Sequence, residues 1–138
     1  MKNIVLISCV SKKLDRKATA EKIYTSSLFK KNLTYAKSLK PSGIFILSAK
    51  HGLLKLTDEI EPYDKTLNKM SVGEQKEWSR LVINQLKSVA DFKNDQFTFL
   101  AGKKYRQYLL SELTRVKIPM KGLKIGEQLQ WLTKQNSK

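Results

Sequence analysis

Three short apolar runs of this sequence each end in side chains that can bind an anion or transfer a proton. The runs and the groups that follow them are residues 4–7 with Ser8, Cys9, Ser11, Lys12 and Lys13, residues 44–47 with Ser48, Lys50 and His51, and residues 97–100 with Gly102, Lys103 and Tyr105. The carboxyl ends of parallel strands meet at one edge of an open α/β sheet. We therefore expect the groups that follow residues 7 and 100 to lie beside the stretch at residues 45–54. Backbone N–H groups and helix dipoles at such an edge attract anions. The pattern predicts one concave, cationic site in which Lys50 and Lys103 bind anions.

The turn at Pro62-Tyr63-Asp64 carries the strongest candidate for a catalytic acid. Asp64 is one of 12 acidic residues in a chain with 27 basic ones, and Pro62 stiffens its turn. An ionised carboxylate can activate water or stabilise an oxocarbenium-like sugar cation. A structural Asx turn, or a salt bridge to a lysine, explains Asp64 equally well, so both interpretations stay open.

His51 and Cys9 are the only residues of their types, and each has two interpretations. His51 can act as a general acid or base, contact a phosphate or a base edge, or simply lie on the surface. Cys9 would need a partner that lowers its thiol pKa to act as a nucleophile, so a buried packing role is favoured. One histidine and one cysteine do not build a zinc site, and no cofactor motif is present, so we expect neither a metal nor a cofactor.

Aromatic and basic residues near the same edge suggest contacts with nucleic acid. Tyr24, Tyr63 and Tyr105 can stack on a base, whereas Tyr35 and Tyr108 fit the buried faces of helices. The basic segment 12–22 is either a landing surface for a polyanion or a solvated loop.

Apolar runs typical of strands take turns along the chain with stripes typical of helices. This order predicts a single α/β domain over residues 1–138, with a frayed tail at 134–138. The three runs lack alternation and fit strands covered on both faces. Helical stripes follow at Leu28, Phe29, Leu33, Ala36 and Leu39, at Trp78, Leu81, Val82, Leu86 and Val89, and at Tyr105, Tyr108, Leu109 and Leu113. Thr25 or Ser26 caps the first helix, and Ser71 with Glu74 forms a capping box on the second. We predict a three-layer sandwich with a small, mostly parallel sheet, an irregular segment at 53–70 and at most a short edge strand at 118–120.

The formal net charge of +15 on 138 residues favours a polyanionic partner, although solubility alone also explains it. The start of the chain turns polar too soon for a signal peptide, and no apolar run approaches the length of a membrane span. The lone cysteine excludes a disulfide within the chain. We therefore expect a cytoplasmic protein with no membrane contact, and the sequence does not fix its oligomeric state.

Five ordered motifs resemble a family of small bacterial and phage proteins of unknown function that are similar to the peroxide stress protein YaaA. They are Ser8-Cys9-x-Ser11-Lys12-Lys13-Leu14, Ala20-x-x-Ile23-Tyr24-Thr25-Ser26-x-Leu28-Phe29, Leu47-Ser48-Ala49-Lys50-His51-Gly52-Leu53-Leu54, Ile60-x-Pro62-Tyr63-Asp64, and Leu100-Ala101-Gly102-x-x-Tyr105 together with Gly122-Leu123-x-Ile125-Gly126-x-Gln128. The first motif also resembles the Cys-Ser-x-x-Lys segment of uracil-DNA-glycosylase-like domains in archaeosine synthase. That resemblance implies a three-layer α/β fold and the binding of a nucleobase, with N-glycosidic cleavage as one outcome. No histidine occupies the late motif that many such glycosylases use.

Three functions are consistent with these observations. The first is a nucleic-acid-directed protein that binds a nucleobase or nucleotide in the cationic pocket, with DNA favoured over RNA, and that acts as a base N-glycosylase. In it Asp64 and His51 are catalytic, and the ligand is bound by Ser8, Cys9, Ser11, Lys12, Lys13, Tyr24, Ser48, Lys50, Tyr63, Gly102, Lys103, Tyr105 and Gln128. The second is a non-catalytic DNA- or RNA-binding protein, and the third is an enzyme for small nucleotides.

Overall fold

The computed structural model describes residues 1–8 and 12–138, which form a three-layer α/β sandwich. The strands are β1 (Asn3–Ser8), β2 (Ala18–Thr19), β3 (Gly43–Ser48), β4 (Gly52–Lys55), β5 (Glu59–Ile60), β6 (Gln96–Leu100) and β7 (Arg115–Lys117). The helices are α1 (Ala20–Ile23), α2 (Ser27–Ser38), α3 (Val72–Lys87), α4 (Lys103–Arg106) and α5 (Ile125–Asn136), with 3-10 turns at Leu67–Lys69 and Leu110–Glu112. The predicted fold class is confirmed.

In this described part of the chain, five strands form one sheet in the order β4-β3-β1-β6-β7, and β2 pairs with β5 in a separate ribbon. β1 runs parallel to β3 and to β6, β7 runs parallel to β6, and β4 runs antiparallel to β3. The middle strand is therefore β1, flanked by the two other predicted strands. The prediction had placed the ends of these three strands at one edge of the sheet without fixing their order.

The crossovers place helices on both faces of the sheet. The chain moves from β1 through α2 to β3 on one side, and then returns through α3 to β6 on the other side of β1. Right-handed crossovers in opposite directions put their helices on opposite faces. α2 and α5 pack together on one face, and α3 packs against β4 on the other.

The core explains why the three apolar runs lack alternation. Ile4, Val5, Leu6 and Ile7 of β1 are each at most 2% exposed because helices cover both faces of the middle strand. The side chains of β6 from Phe97 to Leu100 are also buried.

Two predicted helix starts are confirmed by their caps. The Ser26 hydroxyl accepts a hydrogen bond from the backbone N–H of Phe29 at 3.1 Å. Ser71 and Glu74 form the predicted capping box, with Ser71 accepting from the Glu74 N–H at 3.2 Å and Glu74 accepting from the Ser71 N–H at 3.0 Å.

Some local predictions are corrected by the structure. Segment 53–70 is not irregular throughout, since it holds β4, β5 and a 3-10 turn. The helix after Gly102 ends at Arg106 rather than continuing to Leu113, and the edge strand lies at Arg115–Lys117, just before Pro119. α5 continues through Asn136, so only the last two residues of the expected frayed tail lie beyond it.

The predicted stripes are right in position but not in every residue. Leu39 and Leu81 are 42% and 43% exposed, respectively, whereas the polar side chains of Asn32 and Gln75 are buried. Within residues 1–8 and 12–138, no helix combines the length and the apolar character that crossing a membrane would require.

Candidate ligand-binding site

A cavity of about 630 Å³ opens at the carboxyl ends of β1 and β6, and we call it the β1–β6 cavity. Ser8 at the end of β1 and Leu100, Ala101 and Gly102 at the end of β6 line it. The backbone N–H of Gly102 donates to the Ser8 hydroxyl at 3.4 Å, which joins the two strand ends. β1 leads to α2 on one face of the sheet, whereas α4 follows β6 on the other face, where Tyr105 packs on Trp78 of α3. Open α/β sheets bind their ligands at such a switch point between crossovers.

The walls of the β1–β6 cavity come from elements of both helical layers. Its lining residues are Ser8, Lys13, Leu28, Asn32, Asp64, Lys65, Thr66, Asn68, Lys69, Leu100, Ala101, Gly102, Lys103, Lys104, Tyr105, Ile125 and Gln128. They include an apolar and aromatic part from α2, β6, α4 and α5, and a polar part from the segment between β5 and α3. A flat apolar ligand with a charged group attached matches such a lining.

The lining is strongly cationic. Five lysines and one carboxylate, Asp64, are among the described residues that line the cavity. Among the residues that the structure describes, ion pairs join Arg16 to Asp15, Lys17 to Glu59 and Lys37 to Glu21, and none of these pairs uses a residue of the cavity. A concave wall of one charge concentrates anions, so the site favours a phosphate-bearing ligand.

Tyr63 fixes the turn that presents Asp64. The Tyr63 hydroxyl shares hydrogen bonds of 2.7 Å with the hydroxyls of Tyr24 and Ser48. Ser48 is fully buried at the end of β3, and its carbonyl accepts from the indole N–H of Trp78 at 2.8 Å. The next residue after this anchor is Asp64, which is exposed at the cavity.

Lys13 connects this anchor to the cavity. Its Nζ lies 4.4 Å from the centroid of the Tyr63 ring, within the range of a cation–π contact, and it also lines the cavity. An isolated antiparallel bridge between Lys13 and Tyr24 holds the two segments together.

The other side of the segment that carries Asp64 is held by amide side chains. Gln75 Nε2 donates to the Met70 carbonyl at 3.0 Å, and Gln75 Oε1 accepts from Gln107 Nε2 at 3.0 Å. Leu67, which begins the 3-10 turn before Met70, is fully buried. The lining residues Asp64, Lys65 and Thr66 therefore lie between two fixed points.

Asn32 is a polar residue on the buried face of α2. It is 4% exposed and lies between Phe29 and Ala36, one helical turn from each, which are both fully buried. Asn32 lines the cavity, and its Oδ1 is buried without a hydrogen-bond partner among the described residues. A buried polar atom without a partner is costly, so this position has a reason other than packing.

His51 lies in the β3–β4 hairpin and outside the set of residues that line the cavity. Its ring makes a T-shaped contact with the Tyr63 ring at 5.5 Å between centroids, and its backbone N–H donates to the Ser48 hydroxyl at 3.2 Å. Burial lowers the pKa of His51, Lys50 adds to this effect, and Asp58 opposes it. Its imidazole is therefore neutral at pH 7, and its position supports the hairpin and the Tyr63 ring.

The structure brings seven of the predicted site residues to the cavity: Ser8, Lys13, Asp64, Gly102, Lys103, Tyr105 and Gln128. It places five other predicted ligand-binding residues outside the lining: Lys12, Tyr24, Ser48, Lys50 and Tyr63. The expected roles of Cys9 and Ser11 fall outside the described residues.

Two of these placements change the expected roles. Tyr24 is 1% exposed and packs on Phe29, so a base could stack on it only after a rearrangement. Lys50 is exposed at the tip of a tight hairpin because β3 is followed by an antiparallel strand instead of a crossover helix. Ser48 and Tyr63 support the site by hydrogen bonds to each other.

Several lining residues were not predicted from the sequence. They are Leu28, Asn32, Lys65, Thr66, Asn68, Lys69, Leu100, Ala101, Lys104 and Ile125. Asn32 had a usable signal, since it is a polar residue three positions after Phe29 and four before Ala36 on an apolar helical face. The lysines at 65 and 69 had none, because their segment has no helical or strand period.

No metal centre is evident in the part of the chain that the structure describes, where no three histidine, cysteine or acidic residues come close enough to hold an ion. Residues 4–134 match the model of a family described as Family of unknown function (DUF6884). The chain belongs to this family. Comparison with curated proteins and with solved structures gave no significant match.

Proposed function

We propose that the β1–β6 cavity binds a nucleotide unit, as part of a nucleic acid or free, and that the protein is nucleic-acid-directed, with DNA favoured over RNA. The observation that carries the proposal is the position of a cavity with five lysines at the switch point of the sheet. The cavity volume of about 630 Å³ lies within the roughly 300–1,000 Å³ typical of small-molecule sites. Phosphate at the lysines and a base against the apolar wall would satisfy both parts of the lining.

Charge reversal at the cavity tests this proposal. The test variant is Lys65→Glu with Lys103→Glu, and the control is Arg80→Glu with Lys87→Glu, which reverses two charges in a separate groove on α3. Binding of a labelled single-stranded DNA is measured by fluorescence anisotropy between 50 and 300 mM salt, conditions chosen because the phosphate contribution depends on salt.

We expect the cavity variant to bind about tenfold or more weakly than the wild type, with a shallower dependence on salt. The control variant should lose much less affinity. If both variants lose affinity equally, the binding is spread over the whole basic surface and the cavity is not the site.

N-glycosidic cleavage is a second candidate function, and Asp64 is the observation that favours it. Asp64 is the only carboxylate among the described residues that line the cavity, and it is exposed beside Lys65. A carboxylate near the sugar of a bound nucleotide can stabilise an oxocarbenium-like cation or activate water. Because His51 lies outside the lining, this candidate gives it no proton-transfer role.

Asp64→Asn tests the second candidate. DNA that carries deaminated or oxidised bases is incubated with the protein, and abasic sites are measured by strand cleavage in alkali. We expect the wild type to produce abasic sites and Asp64→Asn to lose at least about a hundredfold in rate, as for loss of a general acid or base. Glu61→Gln, which neutralises an exposed carboxylate three residues earlier, is the control and should keep its activity. Full activity in Asp64→Asn would exclude this role for Asp64.

We propose that the motif resemblance to the peroxide stress protein YaaA and to uracil-DNA-glycosylase-like domains reflects a shared nucleic-acid-directed role in the cytoplasm. Support comes from the position of four residues of the five motifs, Ser8, Gly102, Tyr105 and Gln128, around one cavity. An enzyme for free nucleotides is distinguished by competition, since a mononucleotide would then displace the labelled DNA at concentrations where an unlabelled DNA strand does not.

A further inference from the structure

We propose that Asn32 is the residue that recognises the base of the bound nucleotide, which rests on the proposed nucleotide binding at the β1–β6 cavity. Asn32 is the buried polar side chain of α2 that lines the cavity and has an unpartnered Oδ1 among the described residues. Four of the five cavity lysines, at positions 65, 69, 103 and 104, are exposed and Lys13 is partly buried, whereas Asn32 is 4% exposed. The two kinds of group therefore serve different parts of a ligand.

The chemistry of the unpartnered atom excludes an ionised phosphate as its partner and favours a group that donates a hydrogen bond. Oδ1 is an acceptor, so it needs a ligand group that donates a hydrogen bond. A fully ionised phosphate offers acceptors only, and it is better matched by the lysines. Base edges offer N–H and amino donors next to acceptors, and amide side chains pair with such edges through one donor and one acceptor. An amide below a cationic rim therefore fits a base whose phosphate lies among the lysines.

The lower stability that Asn32 gives to the unbound protein also supports a role in binding. A buried acceptor without a partner weakens the folded state, and an apolar residue of similar size would remove that penalty. Residues that lower stability while lining a cavity are typical of sites where binding was favoured over stability. Asn32 should therefore show opposite effects on stability and on binding when it is replaced.

The test compares Asn32→Leu and Asn32→Asp with the wild type. Nucleoside 5′-monophosphates of the common bases are titrated against each protein, ribose 5-phosphate serves as a probe that has no base, and thermal unfolding is measured on the same samples. Asn136→Leu is the control, since its Oδ1 also lacks a partner among the described residues but Asn136 does not line the cavity.

We expect Asn32→Leu to raise the melting temperature. It should also lower the affinity for the preferred mononucleotide by about tenfold or more, which is the scale of one lost base contact. Binding of ribose 5-phosphate should stay the same. Asn32→Asp keeps the shape but only accepts hydrogen bonds, so it should change the order of preference toward bases that present two donors. Because it differs little in size, this variant keeps the inference testable if Asn32→Leu fails to fold.

Unchanged affinity and base preference in both Asn32 variants would overturn the inference and leave nucleotide binding intact. A wild-type protein that binds neither mononucleotides nor single-stranded DNA would instead overturn the proposed function itself, and the inference with it. An equal loss of ribose 5-phosphate binding would assign Asn32 to the sugar or phosphate and also overturn the inference.

Discussion

Tyr63 shows how one side chain fixes a site that it does not line. Its hydroxyl joins Tyr24, which follows α1, to Ser48 at the end of β3, and both contacts are 2.7 Å long. The ring contacts Lys13 Nζ and makes a T-shaped contact with the His51 ring. The position of Asp64 therefore depends on hydrogen bonds between residues that are distant in sequence.

Tyr63→Phe tests this dependence. The substitution keeps the ring but removes the shared hydroxyl, which leaves the Tyr24 and Ser48 hydroxyls without that partner. We expect the free energy of unfolding to fall by about 1–3 kcal/mol, measured by denaturant titration. Tyr35→Phe is the control, because Tyr35 is half-buried and packs edge-on against Trp131 at 5.1 Å, a contact that phenylalanine keeps. If the two variants are equally stable, the Tyr63 hydroxyl contributes little.

At this scale the sequence predicted the groups that follow β1 and β6 better than those that follow β3. Ser8, Gly102 and Lys103 were predicted because a strand end has a defined place at the edge of a sheet. Lys50 was assigned to the site by the same strand-end argument and Tyr24 by its nearness to the predicted edge, but burial removes Tyr24 and the hairpin removes Lys50. Neither burial of a single tyrosine nor the sharpness of a turn has a periodic signal.

The β3–β4 hairpin is the element that closes one side of the sheet, and Gln85 of α3 holds it. Gln85 Oε1 accepts from the Leu53 N–H at 2.7 Å, and Gln85 Nε2 donates to the His51 carbonyl at 3.2 Å. Gly52 lies between these two bonds with φ of +74°, in the left-handed region. A Cβ at this position would collide with Gln85 Oε1, and it would also come within 3.1 Å of Leu81.

Gly52→Ala should therefore destabilise the protein more than backbone strain alone requires. Gly122→Ala is a matched control, because Gly122 has a similar φ of +82° and no atom within 4 Å of an added Cβ. We expect about 1–2 kcal/mol of destabilisation at Gly122 from the left-handed backbone. At Gly52 we expect about 3 kcal/mol or more, because Gln85 must also give up its hairpin bonds. Equal melting temperatures for the two variants would show that the Gln85 contacts are weak.

The sequence predicted the elements with a continuous apolar run or a helical stripe and missed the short ones that have neither. β1, β3 and β6 were recognised as buried runs, and α3 by its stripe and its capping box. β4 was missed because its four residues follow a turn too closely to separate from β3. The order of strands in the sheet was not predictable, since periodicity reports which face is buried and not which neighbour pairs.

At the scale of the whole molecule, the formal net charge of +15 dominates the electrostatics. The chain has 27 basic and 12 acidic residues, and the pairs Arg16–Asp15, Lys17–Glu59 and Lys37–Glu21 are exposed or partly exposed. Exposed ion pairs contribute little, so they do not offset the repulsion between so many cations. The folded protein should respond strongly to ions that screen or bind its surface.

We expect the melting temperature to rise by several degrees between 20 and 500 mM NaCl, because salt shortens the range of repulsion to a few ångströms. Differential scanning fluorimetry measures the effect directly. A variant with Lys76→Gln and Lys87→Gln, two exposed lysines of α3, has less repulsion and should show a smaller rise. A melting temperature that falls with added salt would mean that attractive pairs outweigh the repulsion.

The two fixed points around Asp64, Lys65 and Thr66 have a consequence for how the site can change. Tyr63 is held by hydroxyl contacts and Leu67 is fully buried, whereas Asp64 and Lys65 between them are exposed at the cavity. The exposed side chains of Asp64 and Lys65 can therefore be exchanged without disturbing the core. Libraries restricted to residues 64 and 65 should therefore yield folded proteins with altered ligand preference, whereas Thr66 caps the following 3-10 turn through its hydroxyl.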